Sequence, residues 1–343
     1  MPEYRLALVG FGNVGQALVK LLLRKRTLLA EQFDFTFKIT GIATGRHGAA
    51  INPDGIDPQA ALDCIAAGGS LNGLSAAPVP ASVLDFIAAV PADFLFENSP
   101  VNHLTGQPAV DHVKAALLRG MHAVTANKGT VVHGFDELNA LAAAHGRRFM
   151  YESTVMDGAP IFSLFRAPLP AAELKGFFGI LNSCTNLLLE MMEQGKTLDE
   201  AVEYGKSIGI TETDPSADID GWDAAIKVAA LATVVMGQPL KPQQVDRSGI
   251  RGISAEMIRQ ARADGERWKL VCRCSRDGGG LRASVKPERV RADSPLYSIG
   301  GTSSYVQFEL DVLPGLGIVE SNPGPDTTAY GLLADCLNAL RGM

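Results

Sequence analysis

At 343 residues, with 31 Lys and Arg against 37 Asp and Glu, the chain has a formal net charge of −6. That length holds two domains, each able to bury its own core, and the mild negative charge gives no reason to expect nucleic acid or an anionic membrane as a partner. The longest mainly apolar run, 228–236, is too short to span a bilayer, the opening Met1-Pro2-Glu3 reads as leading into a core strand without a signal peptide, and five scattered cysteines with no C-x-x-C pair point to reduced thiols in a cytoplasm, against a zinc site or a disulfide scaffold.

Residues 4–9 read as a strand that runs into Gly10-Phe11-Gly12-Asn13-Val14-Gly15, and 16–23 then has the spacing of a helix. G-x-G-x-x-G carries mechanical meaning when it lies between a strand and a helix. Gly10 permits the tight turn, Gly12 lets the backbone approach a pyrophosphate, and Gly15 lets the helix pack close to the strand. The helix N-terminus offers N–H groups and a partial positive charge to phosphates. A turn without a ligand would use the same glycines; the strand before and the helix after favour a dinucleotide.

Further along, 35–43 reads as a strand, 58–73 as helix and loop, and 83–89 as a short helix. A strand at 92–97, a helix at 106–120, a strand at 122–125, a helix at 135–145 and a strand at 148–152 follow. Strands alternating with helices indicate a doubly wound parallel sheet whose ligands lie at the carboxyl ends of the strands. After about residue 150 the texture becomes α+β. Helices are expected at 187–194, at 198–208 with a Thr197/Glu200 capping box, and at 223–236. Strands are expected at 268–275, 281–285 and 305–310, and a last helix at 326–340 can return to the first domain.

The second strand ends Ala43-Thr44-Gly45-Arg46, with no acid to hold a ribose 2′-OH. Arg46 can pair with a 2′-phosphate, which favours NADP while leaving NAD open; a solvated loop charge is the plain alternative. All six histidines lie between His47 and His145, so chemistry in the second half must use Lys, carboxylates or Cys. There the run 209–227 carries Glu212, Asp214, Asp218, Asp220, Asp223 and Lys227. Asp223 and Lys227 share a helix face. A surface ion pair would explain them, but the residues around Lys227 are apolar all round, as in a buried helix. A lysine there is costly unless paired or functional, and burial and a neighbouring carboxylate pull its pKa in opposite directions. Such a group can exchange a proton with a substrate oxygen, while the carboxylates suit a ligand ammonium. Asp218 and Asp220 also qualify as helix N-caps.

On the strings GFGNVG, TANKG, ESTVMDGAPI, GILNSCTN and the acid-rich run through Lys227, the chain resembles the homoserine dehydrogenase family along nearly its whole length. The resemblance implies an α/β fold: an N-terminal Rossmann-type doubly wound parallel sheet (1–150), an α+β catalytic and dimerisation domain (151–322) and a C-terminal helix (323–343) returning to the first domain. It implies NAD(P)-dependent interconversion of L-homoserine and L-aspartate 4-semialdehyde, in threonine and methionine biosynthesis, by a cytoplasmic homodimer. By the same resemblance Lys227 is the proton donor and Lys128 its catalytic partner near the nicotinamide. Glu212, Asp218 and Asp223 bind substrate. Besides the glycine turn, Arg46, Ser99, Lys128, Gly209 and Gly324 contact the cofactor; Gly209 is also placed to cap a helix. Glu152, Val155, Asp157 and Ala159 correspond to a sodium-binding loop, for which an ordinary turn is the alternative.

Two segments depart from the family pattern: Asn182-Ser183-Cys184-Thr185-Asn186, where many members read Asn-Gly-Thr-Thr-Asn, and Met156-Asp157-Gly158-Ala159, where many carry a glycine-rich run. Both leave room for a different amino-acid alcohol or aldehyde as substrate. Cys184 also raises an acylating mechanism through a thiolate, and a non-catalytic NADP-binding sensor is a third reading. No regulatory C-terminal module is expected before Met343.

Overall fold

The computed structural model describes residues 2–211 and 214–342. Contacts divide them into two units, one holding the chain up to Ala167 and again from Gly324 onward, the other Pro168–Pro323.

In the first unit the opening apolar run forms β1 (Glu3–Val9), buried from Leu6 onward. It is followed by α1 (Asn13–Arg24), α2 (Arg26–Phe33), β2 (Thr36–Ala43) and β3 (Ala49–Ile51). Next come α3 (Pro58–Ala66), α4 (Val83–Ala89), β4 (Phe94–Glu97), α5 (Ala109–Leu118) and β5 (His122–Thr125). The series ends with α6 (Lys128–Ala144), β6 (Phe149–Met150) and α7 (Phe162–Arg166). The sheet runs in the order β3-β2-β1-β4-β5-β6, parallel throughout except for the antiparallel edge strand β3. The strand order reverses between β1 and β4, which places a crevice at their carboxyl ends. α6 starts seven residues before the expected 135, because the Asn127 side chain caps it by accepting from the Gly129 N–H at 3.0 Å.

The C-terminal helix (Pro325–Leu340) belongs to this unit, packing Leu332, Leu333 and Cys336 into the same apolar cluster as Leu18 and Leu22 of α1. It also explains why the unit extends to Ala167 and not to about 150. The Glu152 N–H donates to Asp335 Oδ2 of that helix at 2.7 Å, and Ser153 Oγ donates to the Thr328 carbonyl at 2.8 Å.

The second unit contains β7 (Leu174–Ile180), α8 (Ser183–Glu193), α9 (Leu198–Ser207), α10 (Ser216–Ile219) and α11 (Trp222–Val235). After these come β8 (Asp246–Arg247), α12 (Ala255–Ala263), β9 (Glu266–Asp277), β10 (Gly280–Arg291), β11 (Ser304–Leu310) and β12 (Leu316–Glu320). The sheet order is β12-β11-β7-β9-β10-β8, with only the β10–β8 pair parallel. The capping box expected at Thr197/Glu200 starts α9. β7 is not legible from sequence because Gly176 and Gly179 lower its strand propensity; a Cβ on Gly179 would lie 2.0 Å from the Tyr305 carbonyl oxygen of β11. α11 is buried nearly all round, and Asp223 and Lys227 are its half-buried polar positions. Among the described residues no helix is long and apolar enough to cross a membrane, and all five cysteines are free thiols.

Candidate active site

The glycine turn is built as its sequence requires. Gly10 holds φ 89°, and a Cβ there would lie 2.4 Å from the Asn98 carbonyl oxygen, so both conformation and space demand glycine. A Cβ on Gly15 would meet the Gly10 carbonyl oxygen at 2.5 Å, whereas one on Gly12 would meet nothing within 4 Å. The turn is closed beneath and open above. No side chain caps the first turn of α1, which begins at Asn13. Open space in front of an uncapped helix N-terminus, over a parallel strand end, fits the pyrophosphate of a dinucleotide.

Around that turn stand the ends of the neighbouring strands. β2 and β3 are joined by a short hairpin, whose Thr44 Oγ1 donates to the Gly48 carbonyl at 3.0 Å, and Arg46 sits exposed on it. After β4, Ser99 donates both its N–H and its hydroxyl to Glu97 Oε1. The buried His112 Nδ1 lies 3.2 Å from the same oxygen. Asn127 Nδ2 donates to the Ser99 carbonyl at 2.9 Å. Lys128 is half-buried at the first position of α6. A cation there opposes the helix dipole, so its place is not explained by helix stability.

In the second unit four side chains meet where β7 ends. Asn182 caps α8, its Oδ1 accepting from the Thr185 N–H at 2.7 Å. Its Nδ2 donates to Asp218 Oδ1 at 2.6 Å and to Asp223 Oδ2 at 2.9 Å. Lys227 Nζ donates to the Leu181 carbonyl at 2.8 Å and pairs with Asp223 at 3.1 Å, the two side chains being 15% and 14% exposed. Gly221 makes the turn into α11 with φ 78°. Two carboxylates held by one amide beside a mostly buried ammonium have the chemistry to exchange a proton and to attract a cationic group.

The family models place these two arrangements in separate matches, although the second match also takes in the C-terminal helix that packs in the first unit. The model described as the NAD binding domain of homoserine dehydrogenase matches residues 10–152, and the one described as homoserine dehydrogenase matches 160–337. The chain belongs to the homoserine dehydrogenase family. It is 35% identical over 339 residues to an NAD(+)-dependent homoserine dehydrogenase of Pseudomonas canavaninivorans, covering 98% of this chain and 96% of that one. It is 34% identical over 332 residues to a homoserine dehydrogenase of Methanocaldococcus jannaschii, covering 96% and 97%. A hyperthermophilic archaeal homoserine dehydrogenase solved in complex with NADPH superposes with a TM-score of 0.84 at 29% identity, covering 100% of this chain and 99% of that one. The first unit is accordingly an NAD(P)-binding domain.

Other residues on which the family resemblance bears lie as follows. Glu212 is outside the described residues. Asp220 neither caps α11 nor joins the cluster; its carboxylate pairs with Arg251. Gly209 holds φ 74° just past α9, donating to the Lys206 carbonyl at 3.0 Å, as a helix-terminating glycine does. Gly324 is extended at φ −179° and heads the C-terminal helix, bonded to Thr327. The loop read as a sodium site has other work for its oxygens. Glu152 accepts from the Phe162 and Ser163 N–H groups at 2.6 and 2.8 Å, capping α7. Asp157 accepts from the Thr327 and Thr328 hydroxyls, and the Ala159 carbonyl from the Ile161 N–H. Val155 is buried. Of the four residues, Glu152 has its carboxylate engaged by backbone N–H groups, while the bonds of Asp157 are made by its side chain and leave its carbonyl out of account.

The Cys184 thiol is buried against Thr211 Oγ1 at 3.5 Å, and burial, reinforced by the Asp218 charge, pushes it up to about 12. A thiol so raised is a poor nucleophile at neutral pH, which removes the support for an acylating mechanism. Ser183 Oγ engages Ser304 Oγ at 3.1 Å. Asn182, quoted within its motif but given no role by sequence reading, is the group that brings the two carboxylates together. The expected helix at 187 starts four residues earlier, at Ser183, because Asn182 caps it.

Proposed function

We propose that the protein catalyses the reversible reduction of L-aspartate 4-semialdehyde to L-homoserine with NAD(P)H, a step of threonine and methionine biosynthesis. The observation that carries this reading is the cluster of Asn182, Asp218, Asp223 and Lys227 in a chain whose other unit binds a dinucleotide. The cofactor, when bound, supplies or accepts hydride at the substrate carbon. In reduction Lys227 gives its proton to the aldehyde oxygen and takes it back in oxidation, with Asp223 holding the ammonium in place. Lys128 polarises the same oxygen. Asp218 and Asp223, with Glu212, bind the substrate ammonium, and that orientation supplies part of the rate. The phosphates rest on the N–H groups opening α1, with Ser99, Gly209 and Gly324 as further cofactor contacts.

Arg46, exposed beyond β2, supports NADP as the preferred cofactor. Named relatives include both an NAD(+)-dependent enzyme and an NADPH complex, so both cofactors belong in the assay. Assembly as a homodimer is supported by the position of β12 at a sheet edge, with Val319 exposed on it, since edge strands lend themselves to association; a single-chain mass in solution would sink it. The deciding experiment is an initial-rate assay of homoserine and a panel of amino-acid alcohols with each cofactor. Homoserine should be turned over with the highest kcat/KM; preference for another alcohol, or binding of NADPH without any turnover, would overturn the proposal.

A further inference from the structure

Lys269 of β9 is a charged side chain deep in the second unit that the proposed reaction does not use. It and Asn186 of α8 are each 1% exposed. Lys269 Nζ donates to Asn186 Oδ1 at 2.8 Å and to the Ile299 carbonyl at 2.5 Å, both neutral acceptors. Burying an ammonium on neutral partners costs free energy that an apolar side chain of similar volume would not, so fold stability does not explain this residue. The charged groups around it are Arg267, Glu190 and Glu193, and Glu193 is taken up by Arg267 at 2.6 Å. Asn186 passes the tie on. Its Nδ2 donates to the Gly301 carbonyl at 3.0 Å and lies within 3.5 Å of the Ile299 and Ser303 carbonyls. One turn further along α8, Glu190 accepts from the Gly301 N–H. Near the start of α8, Ser183 Oγ engages the buried Ser304 Oγ at 3.1 Å. Residues 183, 186 and 190 share one stripe of the helix, and the segment 299–304 is a strap laid along it. Lys269 fastens the beginning of that strap to α8.

The strap ends where the cluster begins. Ser183 follows Asn182, whose Oδ1 caps α8 and whose Nδ2 reaches Asp218 at 2.6 Å and Asp223 at 2.9 Å. Asn186 lies about one helical turn beyond Asn182 on the same helix. A shift of that first turn would carry the Asn182 carboxamide off the two carboxylates, and hydrogen bonds of this length tolerate little displacement. We propose that Lys269 is a positioning residue for the active site: by holding Asn186 and the 299–304 strap together, it fixes the first turn of α8 and with it the carboxamide that gathers Asp218 and Asp223. It touches neither substrate nor cofactor and acts through Asn186. The inference rests on the substrate-binding role proposed above for those carboxylates, and it extends the machinery to a residue on a different element.

The test separates substrate binding from chemistry and from cofactor binding. Initial rates against homoserine concentration at saturating cofactor, and fluorescence titrations of NADPH without substrate, are measured for the unsubstituted protein and three variants. Lys269→Met removes the fastener. Asn186→Asp gives Lys269 a carboxylate partner, which supports folding, but its side chain no longer donates to the Gly301 carbonyl. Leu310→Ala is the packing control: Leu310 is buried at the end of β11 away from Ser304, so its truncation costs stability and leaves the strap alone. A misplacement of about 1 Å can cost about 10²-fold, so the homoserine KM should rise by about tenfold or more in Lys269→Met and Asn186→Asp. A KM rise with kcat within about fivefold reports lost substrate binding, and NADPH affinity and the Leu310→Ala KM should both stay within about twofold of the original. An unchanged KM in either strap variant, an equal rise in Leu310→Ala, or an equal weakening of NADPH would each overturn the assignment. Should Lys269→Met not fold, Asn186→Asp decides by the same criteria. Failure of the unsubstituted protein to turn over homoserine would instead remove the proposed function itself.

Discussion

Lys227→Met separates the chemistry of one ammonium from its packing, because methionine fills much of the same space without the charge. In the structure that ammonium donates to the Leu181 carbonyl at 2.8 Å and pairs with Asp223 at 3.1 Å. A positioned general acid contributes about 10² to 10⁴ in rate, or about 2.7 to 5.4 kcal/mol of barrier. Breaking a buried ion pair costs about 3–5 kcal/mol. Here Asp223 keeps the Asn182 donor and both side chains retain some solvent contact, so about 1–3 kcal/mol of stability is the expected loss. Initial rates at saturating homoserine and cofactor should therefore fall by about 10² to 10⁴. The urea midpoint should drop modestly, and NADPH affinity in the absence of substrate should not change. Lys227→Arg restores a cation for Asp223 but holds its proton with a pKa above about 12, so it should recover stability and not turnover. A folded variant of either kind working within about tenfold of the original rate would refute the proton-transfer assignment, since that residual rate exceeds what loss of a general acid allows.

Arg46→Ala should weaken NADP(H) binding by about tenfold or more, the worth of a charge-assisted hydrogen bond, and leave NAD(H) nearly unchanged; equal losses measured by titration would dismiss Arg46 as the selector. Cys184→Ser should retain turnover within a few-fold, and iodoacetamide should not inactivate the native enzyme near neutral pH, because burial pushes the thiol up to about 12; rapid inactivation tied to that residue would revive the thiolate route. Lys269, 1% exposed, donates to Asn186 Oδ1 at 2.8 Å and to the Ile299 carbonyl at 2.5 Å, and burial lowers its pKa from 10.5 to about 8. The native lysine sheds its proton before the unfolded one does, so between those values the unfolded chain binds more protons and stability from this group rises with pH, by up to about 3 kcal/mol. The stability advantage of the original protein over Lys269→Met should therefore widen from pH 8 to 10 in urea melts, and a constant difference would contradict it.

Several elements are legible along the chain because local chemistry specifies them. The glycine turn could be read because a tight strand-to-helix corner has few chemical solutions, and the buried character of α11 because its residues are apolar in every direction. Thr197 and Glu200 announced α9 through a two-residue cap. Short or glycine-bearing elements such as β3, β7 and α7 were not legible, since their formation depends on partners distant in the chain. The same holds for function. Asp223 and Lys227 are four residues apart and could be paired on paper, but nothing in the string tells Asn182 to bridge Asp218 and Asp223, or Glu152 to spend its carboxylate capping α7. Which polar atoms find partners, and which, like the Asn98 carboxamide, have none among the described residues, is settled in three dimensions, because hydrogen-bond satisfaction in a buried site is a property of spatial neighbours and not of sequence spacing.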